Sequence, residues 1–97
     1  MATIFVIVLT YVRPLEEIDA ARADHIAWLQ RGYDDGTFLA SGPRIPRNGG
    51  VILAKGESLE EVAARLKHDP FHERGLATAE IFPFEANMLS NAMRAVV

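Results

Sequence analysis

The chain has 97 residues, of which 49% are hydrophobic and none is cysteine, and its formal net charge is −3. This length predicts a single domain over 1–97, the lack of cysteine excludes disulfides, thiolate metal sites and cysteine nucleophiles, and the lack of a basic stripe argues against nucleic-acid binding. The longest apolar run, IFVIVL at 4–9, is far shorter than the ~20 residues that cross a bilayer, and no basic segment precedes a longer apolar one, so we expect a cytoplasmic protein without a membrane partner.

The first third of the chain predicts a strand followed by a long helix. Residues 3–11, TIFVIVLTY, are rich in β-branched residues and apolar on both alternating faces, as in a strand that is covered on both sides. From Leu15 to Tyr33 the apolar residues recur with the period of a helix. The stripe that faces inward contains Ile18, Ala21, His25, Trp28, Leu29 and Gly32.

The rest of the chain predicts three more strands and further helices. Ser58 and Glu61 match a capping box at the start of a second helix, and Pro83 fits only near the edge or the end of a strand. The predicted segments are a strand over 38–41, a turn-rich loop over 42–50, a strand over 51–54, a helix with Leu59, Val62, Ala63 and Leu66 on its inner face, a strand over 77–85, and a short amphipathic tail helix within 87–96 through Met88, Leu89, Ala92 and Met93. The order β-α-β-β-α-β predicts an α+β, ferredoxin-like sandwich.

The ferredoxin-like arrangement leaves one face of the sheet without helices. Because the first strand is apolar on both sides and the hydrophobic fraction is high for so short a chain, that face needs a cover. Two copies packed sheet to sheet would bury about 1,600 Å² or more, so we predict a homodimer through the sheet face, with the tail 87–97 at the interface. The alternative is that the tail helix folds back over its own sheet.

The stretch KHDPFHERGL at 67–76 places two histidines around an Asp-Pro pair. Their spacing of four would put His68 and His72 on one helical face, as in some metal sites, but a proline disfavours helical backbone in the residue before it. We therefore expect no metal there and expect both histidines to lie in solvent. Asp69 and Pro70 instead fit the N-cap and the first position of a short helical turn that Gly75 ends.

His25 occupies the middle of the apolar stripe of the first helix. A buried imidazole has a donor and an acceptor to satisfy, and its neighbours on the stripe offer little that is polar. Asp69 is the best carboxylate available, and such a pair fixes the imidazole tautomer, as a general base requires. The spacing alone leaves two interpretations open: a satisfied core histidine or a functional pair.

Four segments resemble the YCII-related family, small members of the dimeric α+β barrel group. They are RADHIAWL at 22–29, GTFLASGP at 36–43, GGVILAKGESLEEV at 49–62 and DPFHERGL at 69–76. The resemblance implies a ferredoxin-like fold that dimerises through its sheet, with a small-molecule cleft between the sheet and the helices. It also implies that His25 and Asp69 form a catalytic dyad.

The strand-end segment Ser41, Gly42 and Pro43 matches the family near that cleft. A serine hydroxyl there would orient substrate or water, and its alternative role is only to end the strand. Arg22 matches an arginine often placed three residues before the histidine, which implies that it binds an acidic or phenolate group or else forms a surface ion pair.

Aromatic and basic residues complete the set of candidates. Trp28 and Phe71 are expected in the core or in the wall of the cleft, where they would contact a substrate. Arg44 and Arg47 on the loop either are solvated or favour anionic ligands at the mouth of the cleft.

Two functions follow from these residues and from the resemblance. The first is a cofactor-independent and metal-free enzyme, a lyase, isomerase or dehydrochlorinase, in which His25 as general base and Asp69 transfer a proton on a small cyclic or aromatic substrate. The second is a non-catalytic binding or accessory dimer in which the His-Asp pair is structural.

Overall fold

The computed structural model describes residues 2–97, which form one antiparallel sheet and several helices. The strands are β1 (Ala2–Tyr11), β2 (Phe38–Pro43), β3 (Gly49–Lys55) and β4 (Ala77–Ala86), and the helices are α1 (Leu15–Asp34), α2 (Leu59–Leu66), α3 (Pro70–Glu73) and α4 (Asn91–Arg94). The predicted α+β class and the order β-α-β-β-α-β are confirmed. None of the helices in this part of the chain has the length and hydrophobicity that a bilayer crossing requires.

The sheet has the order β2-β3-β1-β4, so β1 is central and β2 and β4 are edges. Pro83 pairs with Phe5 from the edge strand β4, where one side of the strand needs no N–H donor. The predicted strands over 38–41 and 51–54 are too short, because β2 and β3 keep pairing as far as Pro43 with Gly50. Gly49 permits a close approach of β3 to the central strand β1, since a Cβ there would lie 1.8 Å from the carbonyl oxygen of Leu9.

One face of the sheet packs against α1 and α2 and forms the main core. Phe5, Ile7 and Leu9 of β1 contribute side chains, and Trp28 and Val62 approach them from the two helices. A second buried cluster joins α1 to α3 and the start of β4 through Ile18, Ala21, Phe71, Leu76 and Ala77. This second cluster brings α3 against the helix that carries His25.

The opposite face of the sheet, called the open face below, is apolar and partly exposed. The register aligns Val6 with Leu53 on one side and with Phe82 on the other, and Ile4 with Phe84. Phe82 and Phe84 are 52% and 49% exposed. The open face is therefore the apolar sheet face without helices that the sequence predicts.

The tail contains a short helix, as predicted, but this helix is confined to α4, and Met88 and Leu89 lie outside it. None of the four residues of α4 is buried. Met88 is 88% exposed, so little packing is available to stabilise a longer helix. Near the chain end, Lys55 Nζ of β3 donates to the carbonyl oxygen of Val96 at 2.9 Å.

Candidate functional site

A histidine and an aspartate that are 44 positions apart meet between α1 and α3. His25 Nδ1 lies 2.7 Å from Oδ1 of Asp69. His25 comes from the inner stripe of α1, and Asp69 immediately precedes α3. The two residues are 9% and 1% exposed, so little water competes for the contact, and hydrogen bonds of this kind are stronger in a low dielectric.

Asp69 has a second task at the start of α3. Its Oδ1 also accepts the backbone N–H of Phe71 at 3.0 Å, and Pro70 occupies the first helical position. Oδ2 is buried and has no hydrogen-bond partner within residues 2–97. Because a carboxylate oxygen only accepts, we assign the proton of the neutral imidazole to Nδ1, which leaves Nε2 as its acceptor.

Aromatic rings fix the plane of the imidazole. The ring of Phe71 stacks on His25 with centroids 3.9 Å apart and planes 8° from parallel. Trp28 lies on α1 with its ring centroid 5.9 Å from that of His25. Phe71 also meets the ring of Tyr11 edge to face at 5.9 Å, so it contacts both His25 and the end of β1.

A cavity of about 460 Å³ lies between α1 and the ends of β1, β2 and β3. Its walls are mainly apolar, and a few polar side chains converge on it, which is typical of small-molecule sites. The polar side chains are Tyr11, Arg22, His25, Ser41 and Arg47, and the apolar ones include Leu9, Ile26, Leu29, Val51, Ile52 and Phe71.

Two side-chain contacts join α1 to the β2–β3 hairpin on either side of His25 in the sequence. Tyr33 and Ser41 share a hydrogen bond of 2.6 Å between their hydroxyl oxygens. Asp19 pairs with Arg47, and the hydrogen bond from Arg47 lowers the pKa of Asp19 while the same contact raises the pKa of Arg47. Both contacts hold the hairpin to α1 next to the cavity.

Most of the predicted site residues lie together at this cavity. Arg22, His25, Ser41, Gly42, Pro43 and Phe71 line it, and Asp69 lies behind the imidazole. Trp28 does not line it. Its ring packs on the ring of Phe38 in the core, with the centroids 5.1 Å apart. The helical stripe predicts which side of α1 faces inward, but it does not predict how deep each side chain lies.

Of the remaining basic and histidine candidates, one lies at the cavity and three do not. Arg47 lines the cavity, whereas the guanidinium of Arg44 donates to Oγ1 of Thr10 at 3.2 Å. His68 and His72 are exposed, and no helix runs through both of them because α3 begins at Pro70.

Tyr11, Tyr33 and Ile26 are site residues that the sequence reasoning missed. The local pattern marks Tyr11 only as the end of a strand and Tyr33 only as the end of a helix. Ile26 offered a signal, since it is a large apolar residue outside the inner stripe and is 48% exposed. It follows His25 directly and lines the cavity.

Comparison with known families identifies the chain. The model of the YCII-related domain matches residues 4–85, so this protein belongs to the YCII-related family, as the sequence motifs suggested. A search of curated proteins found no match.

Solved structures with the same fold are distant in sequence. A 5-chloro-2-hydroxyhydroquinone dehydrochlorinase from Burkholderia phenoliruptrix, in complex with 2,5-dihydroxybenzoquinone, has a TM-score of 0.69 and 22% identity over 84% of this chain and 91% of its own. SnoaB, a cofactor-independent oxygenase from Streptomyces nogalater, has a TM-score of 0.53 and 21% identity over 94% of this chain and 99% of its own. At these identities the likeness establishes the fold alone.

Proposed function

We propose that this protein is an enzyme in which His25 acts as a general base, oriented by Asp69, and transfers a proton on a small cyclic or aromatic substrate without a cofactor. The observation that supports this most is the buried contact of 2.7 Å between Nδ1 of His25 and Oδ1 of Asp69 at the wall of a cavity. A base held in one tautomer at the wall of a binding cavity has the geometry that general base catalysis needs.

The proton transfer uses the free nitrogen of the imidazole. Nε2 takes a proton from an acidic C–H or O–H of the substrate, and the electron pair of that bond stays on the substrate as an enolate or phenolate. Asp69 stabilises the imidazolium through Nδ1–H. The proton then returns to a different atom in an isomerisation, or the electron pair expels a leaving group such as chloride in an elimination.

The cavity supports the choice of substrate. A volume of about 460 Å³ falls in the range of small-molecule sites and accommodates one or two rings against the ring of Phe71. Ser41, together with Gly42 and Pro43, borders the opening at the end of β2, where its hydroxyl is able to orient substrate or water. The dehydrochlorinase with this fold acts on a chlorinated hydroquinone and was solved with a benzoquinone bound, which supports a small ring as the substrate.

A non-catalytic role for the His-Asp pair is the second candidate. Asp69 Oδ1 caps α3 and binds His25 of α1 at once, which a purely structural link between two helices would also require. In that case the cavity binds a ligand without turning it over.

Deuterium uptake distinguishes the two candidates whatever the final product of the reaction is. Enolisable lactones, cyclic ketones and chlorinated hydroxyquinols are incubated with the protein in D₂O, and carbon-bound deuterium is followed by NMR together with chloride release. We expect His25→Ala to slow the exchange by about 10²–10⁴-fold on any compound that the wild type accepts. Equal rates for the wild type and for the variant would reject His25 as the base.

We also propose that a second copy of the chain covers the open face. Phe82 and Phe84 are about half exposed there, beside the apolar centre of the sheet, and a sheet-to-sheet contact of standard size buries about 1,600 Å² in total. Sedimentation velocity is expected to give a dimer for the wild type and a monomer for Phe82→Glu. Ile45→Glu, on a fully exposed loop residue, is the matched control, and a wild type that stays monomeric at all concentrations would contradict the dimer.

A further inference from the structure

We propose that the mouth of the cavity is an anion-binding site, formed by Arg47, Tyr11 and Arg22, which takes a carboxylate or another oxyanion on a small cyclic compound. These side chains come from three separate elements, namely the loop 44–48, the end of β1 and the second turn of α1, and all three line the cavity. One part of this inference rests on the proposed function, namely that the reacting atom of the bound compound faces His25.

Backbone hydrogen bonds hold the loop that carries Arg47. The N–H of Tyr11 donates to the carbonyl oxygen of Asn48 at 2.9 Å, and the N–H of Arg44 donates to the carbonyl oxygen of Gly49 at 2.9 Å. The residues on both sides of Arg47 are therefore tied to the sheet. Arg47 is presented beside Tyr11 by a fixed backbone and by its contact with Asp19.

The charges at the mouth do not cancel. Asp19 pairs with Arg47, whereas Arg22 has no carboxylate within 4.0 Å anywhere in residues 2–97. Two guanidinium groups thus share one acidic neighbour. A guanidinium carries five N–H donors in a planar fork, so Arg47 keeps donors for a ligand after it binds Asp19.

Tyr11 adds a neutral hydroxyl donor to the lining of the cavity. The pKa of Arg47 is raised chiefly by its hydrogen bond with Asp19. Tyr11 and His25 both contact the ring of Phe71. Because both also line the cavity, a compact ring bound there is able to present one end to the mouth and another to the imidazole.

Benzoate and benzyl alcohol test the preference, since they share a ring and differ in charge. Binding is measured by NMR titration of the wild type, Arg47→Gln, Tyr11→Phe and Arg44→Gln. We expect benzoate to bind the wild type roughly tenfold or more tightly than benzyl alcohol, as charge-assisted hydrogen bonds imply. Arg47→Gln removes most of this preference, and Arg44→Gln keeps it, because Arg44 carries the same charge on the same loop but binds Thr10.

Asp19→Asn separates a ligand role of Arg47 from a role in anchoring the loop. If Arg47 binds the anion, loss of its competing carboxylate strengthens benzoate binding. If Arg47 only anchors the loop through Asp19, the same change weakens the binding and overturns the proposal. Equal affinity of the wild type for the two probes, or equal losses in Arg47→Gln and Arg44→Gln, would overturn it as well.

His25→Ala keeps this inference distinct from the proposed function. The variant is expected to retain the preference for benzoate while deuterium exchange is lost. A preference that persists in a wild type without any exchange activity rejects only the catalytic proposal. Exchange activity without a preference for benzoate rejects only the anion site.

Discussion

Asp69 and Asp19 each link α1 to another part of the molecule, and they do so in opposite surroundings. Asp69 is 1% exposed and binds His25, whereas Asp19 is exposed and binds Arg47 at the mouth of the cavity. The buried contact determines a tautomer and the start of a helix, because no solvent can replace either partner. The exposed contact is one that water and salt can replace at little cost.

Truncation of Asp69 is the change with the largest expected effect on stability. Asp69→Ala removes the cap of α3, which costs about 0.5–2 kcal/mol, and leaves the buried Nδ1–H of His25 without an acceptor, which costs about 1–3 kcal/mol more. For a domain of this size Tm should fall by more than about 10 °C, as measured by thermal denaturation. Asp19→Ala is the matched control, and a comparable fall in that variant would remove the distinction between the two contacts.

Asp69→Asn tests what the buried charge does rather than what the side chain packs against. The amide retains an oxygen for the Phe71 N–H but loses the negative charge that stabilises an imidazolium. In the enzyme proposal, exchange activity falls on the order of 10²-fold while most of the stability remains. A large drop in Tm with unchanged activity would favour the structural role instead.

Tyr33→Phe tests the other contact between α1 and the hairpin, and its expected effect on stability is smaller than that of the Asp69 variants. It removes the hydrogen bond of 2.6 Å to Ser41, and a partly exposed hydrogen bond contributes about 0.5–1.5 kcal/mol. We expect a fall of a few degrees in Tm together with a looser orientation of Ser41. Unchanged Tm and unchanged binding of benzoate would show that the bridge does not shape the cavity.

Local patterns in the sequence predict the layers of this fold, and tertiary packing decides the rest. The alternation in β1, the stripe of α1 and the Asp-Pro signal at position 69 are short-range features, and the structure has the elements that they predict. Trp28 and the tail helix show the limit, because the depth of a side chain and the length of an end helix depend on neighbours that are distant in sequence. Arg47 and Tyr11 come together through loop geometry, which no local pattern encodes.

The titration of Asp19 is the smallest expected effect and the most direct measure of the exposed contact. Arg47 holds the pKa of Asp19 below its usual value near 3.8, chiefly by a hydrogen bond. A carboxyl whose pKa is lower in the folded state stabilises that state above the unfolded pKa, and the contribution disappears as the pH falls through the folded pKa. Arg47→Gln should therefore raise the pKa of Asp19 in NMR titrations and should slightly flatten the acid side of the stability profile, whereas Arg44→Gln should leave both unchanged. A pKa that does not move in Arg47→Gln would mean that the guanidinium interacts too weakly with Asp19 to hold the loop, and that the backbone bonds of Tyr11 and Arg44 hold it instead.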